Sequence, residues 1–188
     1  MSEVKYNDRE KTLVEFLLIY YKNKIKIFSD IILQKTPLSL RLLDWLVTNY
    51  SKKYNIIYPL YTSSGDIKYF NVYLDYKNQL KAYSKKFFDP FCRQNRIVVN
   101  TDTLQWYKYD NCKINDNCIL TTVGQLNFFR WFIDNKILEY ALNNIRLVDN
   151  DMTVTMKNKD KCKRNVLSPS AIKGMCISDR SITINFKY

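Results

Sequence analysis

The chain has 188 residues, 46% of them hydrophobic, and 30 Lys and Arg against 18 Asp and Glu give a formal charge of +12. That size and apolar content exclude disorder and allow one domain with a full core, or one domain plus a small appendage. With no histidine, Ser-His and Cys-His catalytic pairs and histidine-ligated metals are excluded; with 3 glycines and neither a GxxxxGKS/T nor a GxGxxG pattern, the common nucleotide-binding loops are disfavoured.

From the N-terminus, Val14, Leu18, Tyr21, Ile25, Phe28 and Ile32 recur in alternating steps of four and three, which predicts a long helix with one apolar seam. The seam reads as core in preference to a dimer interface. Thr36 before Pro37 reads as an N-cap and first helical residue, opening a second helix through Leu42, Leu46 and Tyr50. Residues 10–54 are therefore expected to form a helical hairpin. IIYPLYT (56–62) and IKYFNVYLDY (67–76) predict a β-hairpin around the turn SSGD, with Pro59 at an edge and Phe70, Val72, Leu74 and Tyr76 on one face. Helical spacing at Tyr76, Leu80, Tyr83 and Phe87 predicts a helix over about 77–88, ended by Asp89-Pro90.

RIVVNT (96–101) and TLQWYKY (103–109) read as strands, and DNCKINDN (110–117) as a loop. Thr122 and Gln125 match a capping box for a helical region over 121–145 that breaks near Asp134-Asn135. MTVTM (152–156) and SITINF (181–186) read as strands on either side of a basic, mobile-looking segment, 157–165. The expected class is α+β: an N-terminal helical hairpin followed by a mostly antiparallel sheet with helical insertions. Residues 1–55 form the helical region and 56–188 the α+β domain, or the two make one continuous domain.

Cys92, Cys112, Cys118, Cys162 and Cys176 are odd in number, and the start MSEVKYNDREK is charged, so a reduced intracellular compartment is expected. The apolar run FLLIYY (16–21) is too short to span a bilayer, and no membrane association is expected. None of the cysteines forms a CxxC knuckle, so free thiols are preferred to a zinc site on Cys112 and Cys118, and no cofactor is expected. Asp66, Asp75 and Lys77 would bracket the strand 67–76 as the metal ligands and lysine of a nuclease; the simpler reading is a turn aspartate and a solvent-facing pair. The region 121–145 could be a helix-turn-helix, but ILEYALNNI offers few cations, so packing is preferred. Arg130 beside Trp131 could stack or pair.

Two basic clusters carry the leading functional reading. Lys85, Lys86, Arg93 and Arg96 flank the helix terminus in KKFFDPFCRQNRI (85–97), where FFDPF reads as an aromatic corner. A thiol pKa lowered by a neighbouring cation is open for Cys92. Lys161, Lys163 and Arg164, with Lys157 and Lys159, form the second cluster. Such cations neutralise phosphates, and exposed aromatics can stack on unpaired bases.

The blocks YKNQLKAYSKKFFDPFCRQNRI (76–97), TTVGQLNFFRWFIDNKILEYALNN (121–144) and CKRNVLSPSAIKGMCISDRSITINF (162–186) resemble a family of uncharacterised proteins of the nucleocytoplasmic large DNA viruses, as in mimivirus- and iridovirus-like genomes. The resemblance covers roughly the C-terminal 110 residues. It implies a viral origin and a place in infected cytoplasm, a viral factory or the virion, and it transfers no catalytic residue. The expected function is a non-enzymatic, nucleic-acid-associated viral protein that binds the phosphate backbone of DNA or RNA, in transcription or genome packaging. The alternatives are a virion scaffold working through protein contacts and the metal-dependent nuclease.

Overall fold

A computed structural model describes residues 8–61, 65–93, 95–110 and 114–161. It divides the chain into Met1–Val154 and Thr155–Tyr188. In chain order the elements are α1 (Asp8–Tyr21), α2 (Ile25–Ile32), α3 (Leu40–Trp45), a π-helical turn (Leu46–Tyr50), α4 (Ser51–Tyr54), β1 (Ile57–Tyr61), β2 (Ile67–Asn71), α5 (Val72–Phe87), β3 (Arg96–Asn100), β4 (Trp106–Lys108), β5 (Cys118–Thr122), α6 (Val123–Asp134), α7 (Ile137–Asn143) and α8 (Ile145–Lys161). The class is α+β as expected. The strands form two small sheets, β1-β2 and β4-β3-β5, and every pairing is antiparallel.

The seam of the first helix is interrupted at Lys22–Lys24. Val14, Leu18, Tyr21 and Phe28 are buried as expected, but a turn separates α1 from α2. The end of α1 and this turn are tied to α6. The Tyr20 hydroxyl donates to Asp134 at 2.6 Å, and the Lys24 ammonium donates to both Tyr20 and Asp134. The buried Tyr21 hydroxyl donates to the Leu126 carbonyl at 2.8 Å. Phe28 is buried against Phe129 of the same helix, α6. The second helix starts later than expected. Its N-cap is Ser39, whose hydroxyl accepts from the Leu42 amide at 3.2 Å, and the buried Thr36 hydroxyl has no hydrogen-bond partner among the described residues.

The hairpin forms with the expected strands, and Gly65 takes φ 87° beside its tip. β2 ends sooner than its alternation suggests. The Asn71 side chain accepts from the Leu74 amide at 3.0 Å and starts a helix there, so Val72, Leu74 and Tyr76 do not share a strand face. In helical geometry Val72 and Tyr76 are buried and Leu74 is exposed. MTVTM is also helical, inside α8: Val148 and Asp151, three residues apart, are buried, and that packing overrides the β-branched local preference. Residues 157–161 of the expected basic segment belong to α8, and SITINF lies outside the described residues. β5 has no counterpart in the sequence reading, which left 118–120 unassigned.

Helix α6 is the centre of the body. Every residue from Val123 to Phe129 is buried, as are Trp131 and Phe132. A helix covered all round is a core helix, so the helix-turn-helix reading fails on burial. Its N-cap is Thr122, accepting from the Gln125 amide at 3.1 Å, which is one half of the expected box. The other half is absent because the Gln125 side chain is used elsewhere: it accepts from Thr121 and donates to the Pro90 carbonyl at 2.8 Å. Gly124 has a steric reason. A Cβ there would stand 2.9 Å from the Lys86 carbonyl oxygen, 3.3 Å from the Phe88 nitrogen and 3.4 Å from the Phe87 carbonyl carbon. All three are backbone atoms and cannot swing aside, so Gly124→Ala is expected to cost about 1–3 kcal/mol. Urea midpoints of the two proteins check this; equal midpoints contradict the close approach.

Candidate functional site

The corner after α5 is built by interlocking backbone groups. Helix α5 is interrupted at Ser84 (φ 56°, ψ 170°), and the chain leaves it at Phe88. Carbonyls at a helix end lack intrahelical donors and need partners. Here α6 supplies them: the Asn127 amide donates to the Phe87 carbonyl at 2.9 Å, and Gln125 to that of Pro90. The Asp89 amide in turn donates to the Gly124 carbonyl at 3.2 Å. Phe88 is buried among Tyr76, Tyr83, Phe128 and Trp131. FFDPF is thus an aromatic corner, as expected from the sequence.

The corner's cations are exposed but not equivalent. The Arg93 guanidinium makes two hydrogen bonds to the buried Asp89 carboxylate, at 2.9 and 2.7 Å, and stacks 4.7 Å from the Phe91 ring. Lys86 lies 3.7 Å from the buried Glu10 carboxylate and over Phe87. Lys85 and Arg96 make no ion pair among the described residues. Two carboxylates share this neighbourhood. Burial raises the pKa of half-buried Asp44, and the charge of Asp89 adds to it, while Arg93 and Lys85 pull the other way. Cys92 is not activated: burial raises its thiol pKa, and the charge of Arg96 only partly opposes this.

Helix α5 carries a row of lysines at four-residue spacing, of which the sequence reading singled out only Lys85 as a phosphate contact. Lys77, Lys81 and Lys85 recur every four residues of α5 and are all exposed, and Tyr73 precedes them in the same series. The Lys52 ammonium stands 5.8 Å from the Tyr73 ring. The three lysines make no ion pair among the described residues, and Asp75, the helix's only acid, accepts a hydrogen bond from the Trp131 indole. The four-residue repeat of lysines lies wholly inside the helix expected over about 77–88, and only Tyr73 falls in the strand expected through Tyr76.

The helical start at Asn71 removes the nuclease geometry. Asp66 precedes β2 as expected, but Asp75 lies on a helix and is held by Trp131 instead of ending a strand. No group of three or more Cys, Asp or Glu among the described residues could hold a metal ion. Arg130 pairs: it donates to Asn127 and lies 3.9 Å from Asp134. In the second cluster, Lys161 is the last residue of α8, and Lys163 and Arg164 lie outside the described residues. Among the described residues no helix is long and apolar enough to cross a membrane.

Comparison with known proteins adds descent. An uncharacterised protein of Acanthamoeba polyphaga mimivirus is 37% identical over 166 residues, which is 87% of this chain and 59% of that protein. The chain thus spans less than two thirds of the length of this relative. No solved structure matches. The model of a family of unknown function matches residues 2–181, so the match takes in the N-terminal helices that the resemblance in the sequence left aside. A match over nearly the whole length, together with the mimivirus relative, shows that this chain belongs to that family, DUF7197.

Proposed function

We propose that this chain is a non-enzymatic, nucleic-acid-associated viral protein that binds the phosphate backbone through a basic surface, in transcription or genome packaging. One observation carries the reading: the exposed row Lys77–Lys81–Lys85 on α5, unpaired among the described residues, in a chain of net charge +12. The step from Lys77 to Lys81 rises about 6 Å along the helix and Lys85 follows the break at Ser84, so the ammonium groups present separate charges to a polyanion. Arg96 is exposed and makes no ion pair among the described residues, while Arg93 and Lys86 are partly neutralised by Asp89 and Glu10. Lys161, Lys163 and Arg164 enter the proposal on sequence alone.

The test is a titration of labelled DNA and RNA at two salt concentrations. The native chain is expected to bind with a steep salt dependence. In Lys77→Ala/Lys81→Ala/Lys85→Ala the slope of log K against log salt is expected to fall by about 2–3, from ~0.7–0.9 per phosphate contact. Native binding without a salt slope, or no tighter than a neutral control protein's, overturns the reading.

A virion scaffold is the second reading. It is favoured by a cavity of about 830 Å³ between α1 and α5, whose apolar wall includes Leu13, Phe16, Ala82, Tyr83 and Phe87. High copy number in purified particles with little nucleic-acid affinity distinguishes it from the first.

A further inference from the structure

The outer face of the β1-β2 hairpin carries aromatic groups that phosphate binding alone leaves unused. The register sets Pro59 opposite Tyr69 and Tyr61 opposite Ile67, with Ile57 nearer the base. Strand alternation puts these five on one face. The other face turns Tyr58 and Phe70 inward, onto Tyr140 and Trp131. Tyr61 and Tyr69 are 67% and 74% exposed, which is unusual for side chains of that size in a folded body. The hairpin is also joined to the lysine row. β2 runs into α5 without a loop, and Asn71 at the junction both caps the helix and donates to Asn55. Beyond it come Tyr73, with Lys52 over its ring, then Lys77 and Lys81.

We infer that the hairpin face and the lysines beyond it together take an unpaired, single-stranded segment of nucleic acid, with bases stacked on Tyr61 and Tyr69 and phosphates on Lys52, Lys77 and Lys81. The inference rests on the phosphate-binding reading and names its substrate class. Every base has a π-face, so two exposed phenol rings beside a cation row suit a single strand of any sequence. A duplex keeps its bases stacked inside and engages the lysines alone. The positive charge decides against an ordinary apolar protein partner, which would leave the row of ammonium groups without counter-charges.

The experiment is fluorescence anisotropy with a labelled oligothymidylate and a duplex of the same length, at about 50 and about 200 mM salt. The native chain is expected to prefer the single strand. Tyr61→Leu/Tyr69→Leu is expected to weaken single-strand binding by about ten-fold or more per tyrosine, with duplex binding and the salt slope unchanged. Tyr61→Phe/Tyr69→Phe keeps the rings and is expected to bind like the native chain, which separates stacking from any effect of surface change. If single strand and duplex bind equally and the leucine variant changes neither, this inference falls and the phosphate reading stands. If neither probe binds better than it does to a neutral protein, both fall. If the leucine variant changes the mass seen by light scattering but not the affinity, the face joins copies of the chain, and the inference is overturned.

Discussion

Phe88→Ala is expected to destabilise the chain by about 3–5 kcal/mol, one of the largest effects of any single substitution in the body. The ring is 1% exposed and lies within 5.2–6.5 Å of the rings of Tyr76, Tyr83, Phe128 and Trp131, measured between centroids. Truncation removes its apolar transfer energy and leaves a void walled by aromatic rings. Those rings cannot collapse inward, because the backbone on both sides is held. Asn127 bonds the Phe87 carbonyl, Gln125 bonds that of Pro90, and Gly124 lies against the backbone of Lys86–Phe88. A void that cannot close costs the most. For a chain of this length the melting temperature is expected to drop by about 10 °C, readable by calorimetry or near-ultraviolet circular dichroism. Phe87→Ala, at a half-buried ring next to it, is the control and is expected to cost much less. Equal losses for the two would mean that the corner is not anchored by Phe88.

Asp151→Asn carries the second large effect, and its pH dependence identifies the cause. The Asp151 carboxylate is buried and accepts from the Trp45 indole at 3.0 Å, from the Tyr54 hydroxyl at 3.2 Å and from the Lys53 ammonium. Burial alone would raise its pKa; the hydrogen bonds from Lys53, Trp45 and Tyr54 outweigh this and hold it below the ordinary carboxylate value. A depressed folded-state pKa means that the stabilisation is full above the unfolded value of about 3.9 and is lost as pH falls through the folded value. An amide at this position offers one acceptor where the carboxylate serves three donors. The expected loss is about 2–4 kcal/mol at neutral pH. The gap between native and variant is expected to stay constant above about pH 5 and to shrink below about pH 4. Lys53→Met is expected to cost less than Asp151→Asn, because the lysine is largely exposed. Urea unfolding from acid to neutral pH measures all of this. A gap that widens on acidification would contradict the assignment.

Local signals in this chain were legible where they did not depend on a distant partner. The two hairpin strands, the Thr122 cap, the break after Asp134 and the burial of Val14, Leu18, Tyr21 and Phe28 all follow from periodicity and turn chemistry. The aromatic corner at FFDPF was legible too, because proline stops a helix wherever it falls. The errors have different causes. At Asn71, alternating and helical patterns overlapped, and the cap chose the helix. At 152–156, β-branched residues suggested a strand, but packing at Val148 and the polar cluster at Asp151 required a helix. At Lys22–Lys24 the seam reads as continuous, but the chain turns there, and Tyr20 and Lys24 are held by Asp134, more than a hundred residues away in sequence.

The candidate site divides in the same way. Composition alone determined the positive charge, the exclusion of histidine chemistry and the clustering of cations near the corner. Only the tertiary structure decided which cations have partners. Arg93 and Lys86 meet buried carboxylates, whereas Lys77, Lys81 and Lys85 stand exposed on α5 without an ion pair among the described residues. A charge is written in the sequence, but its neutralisation depends on the distance to a partner, and that distance exists only once the chain has folded.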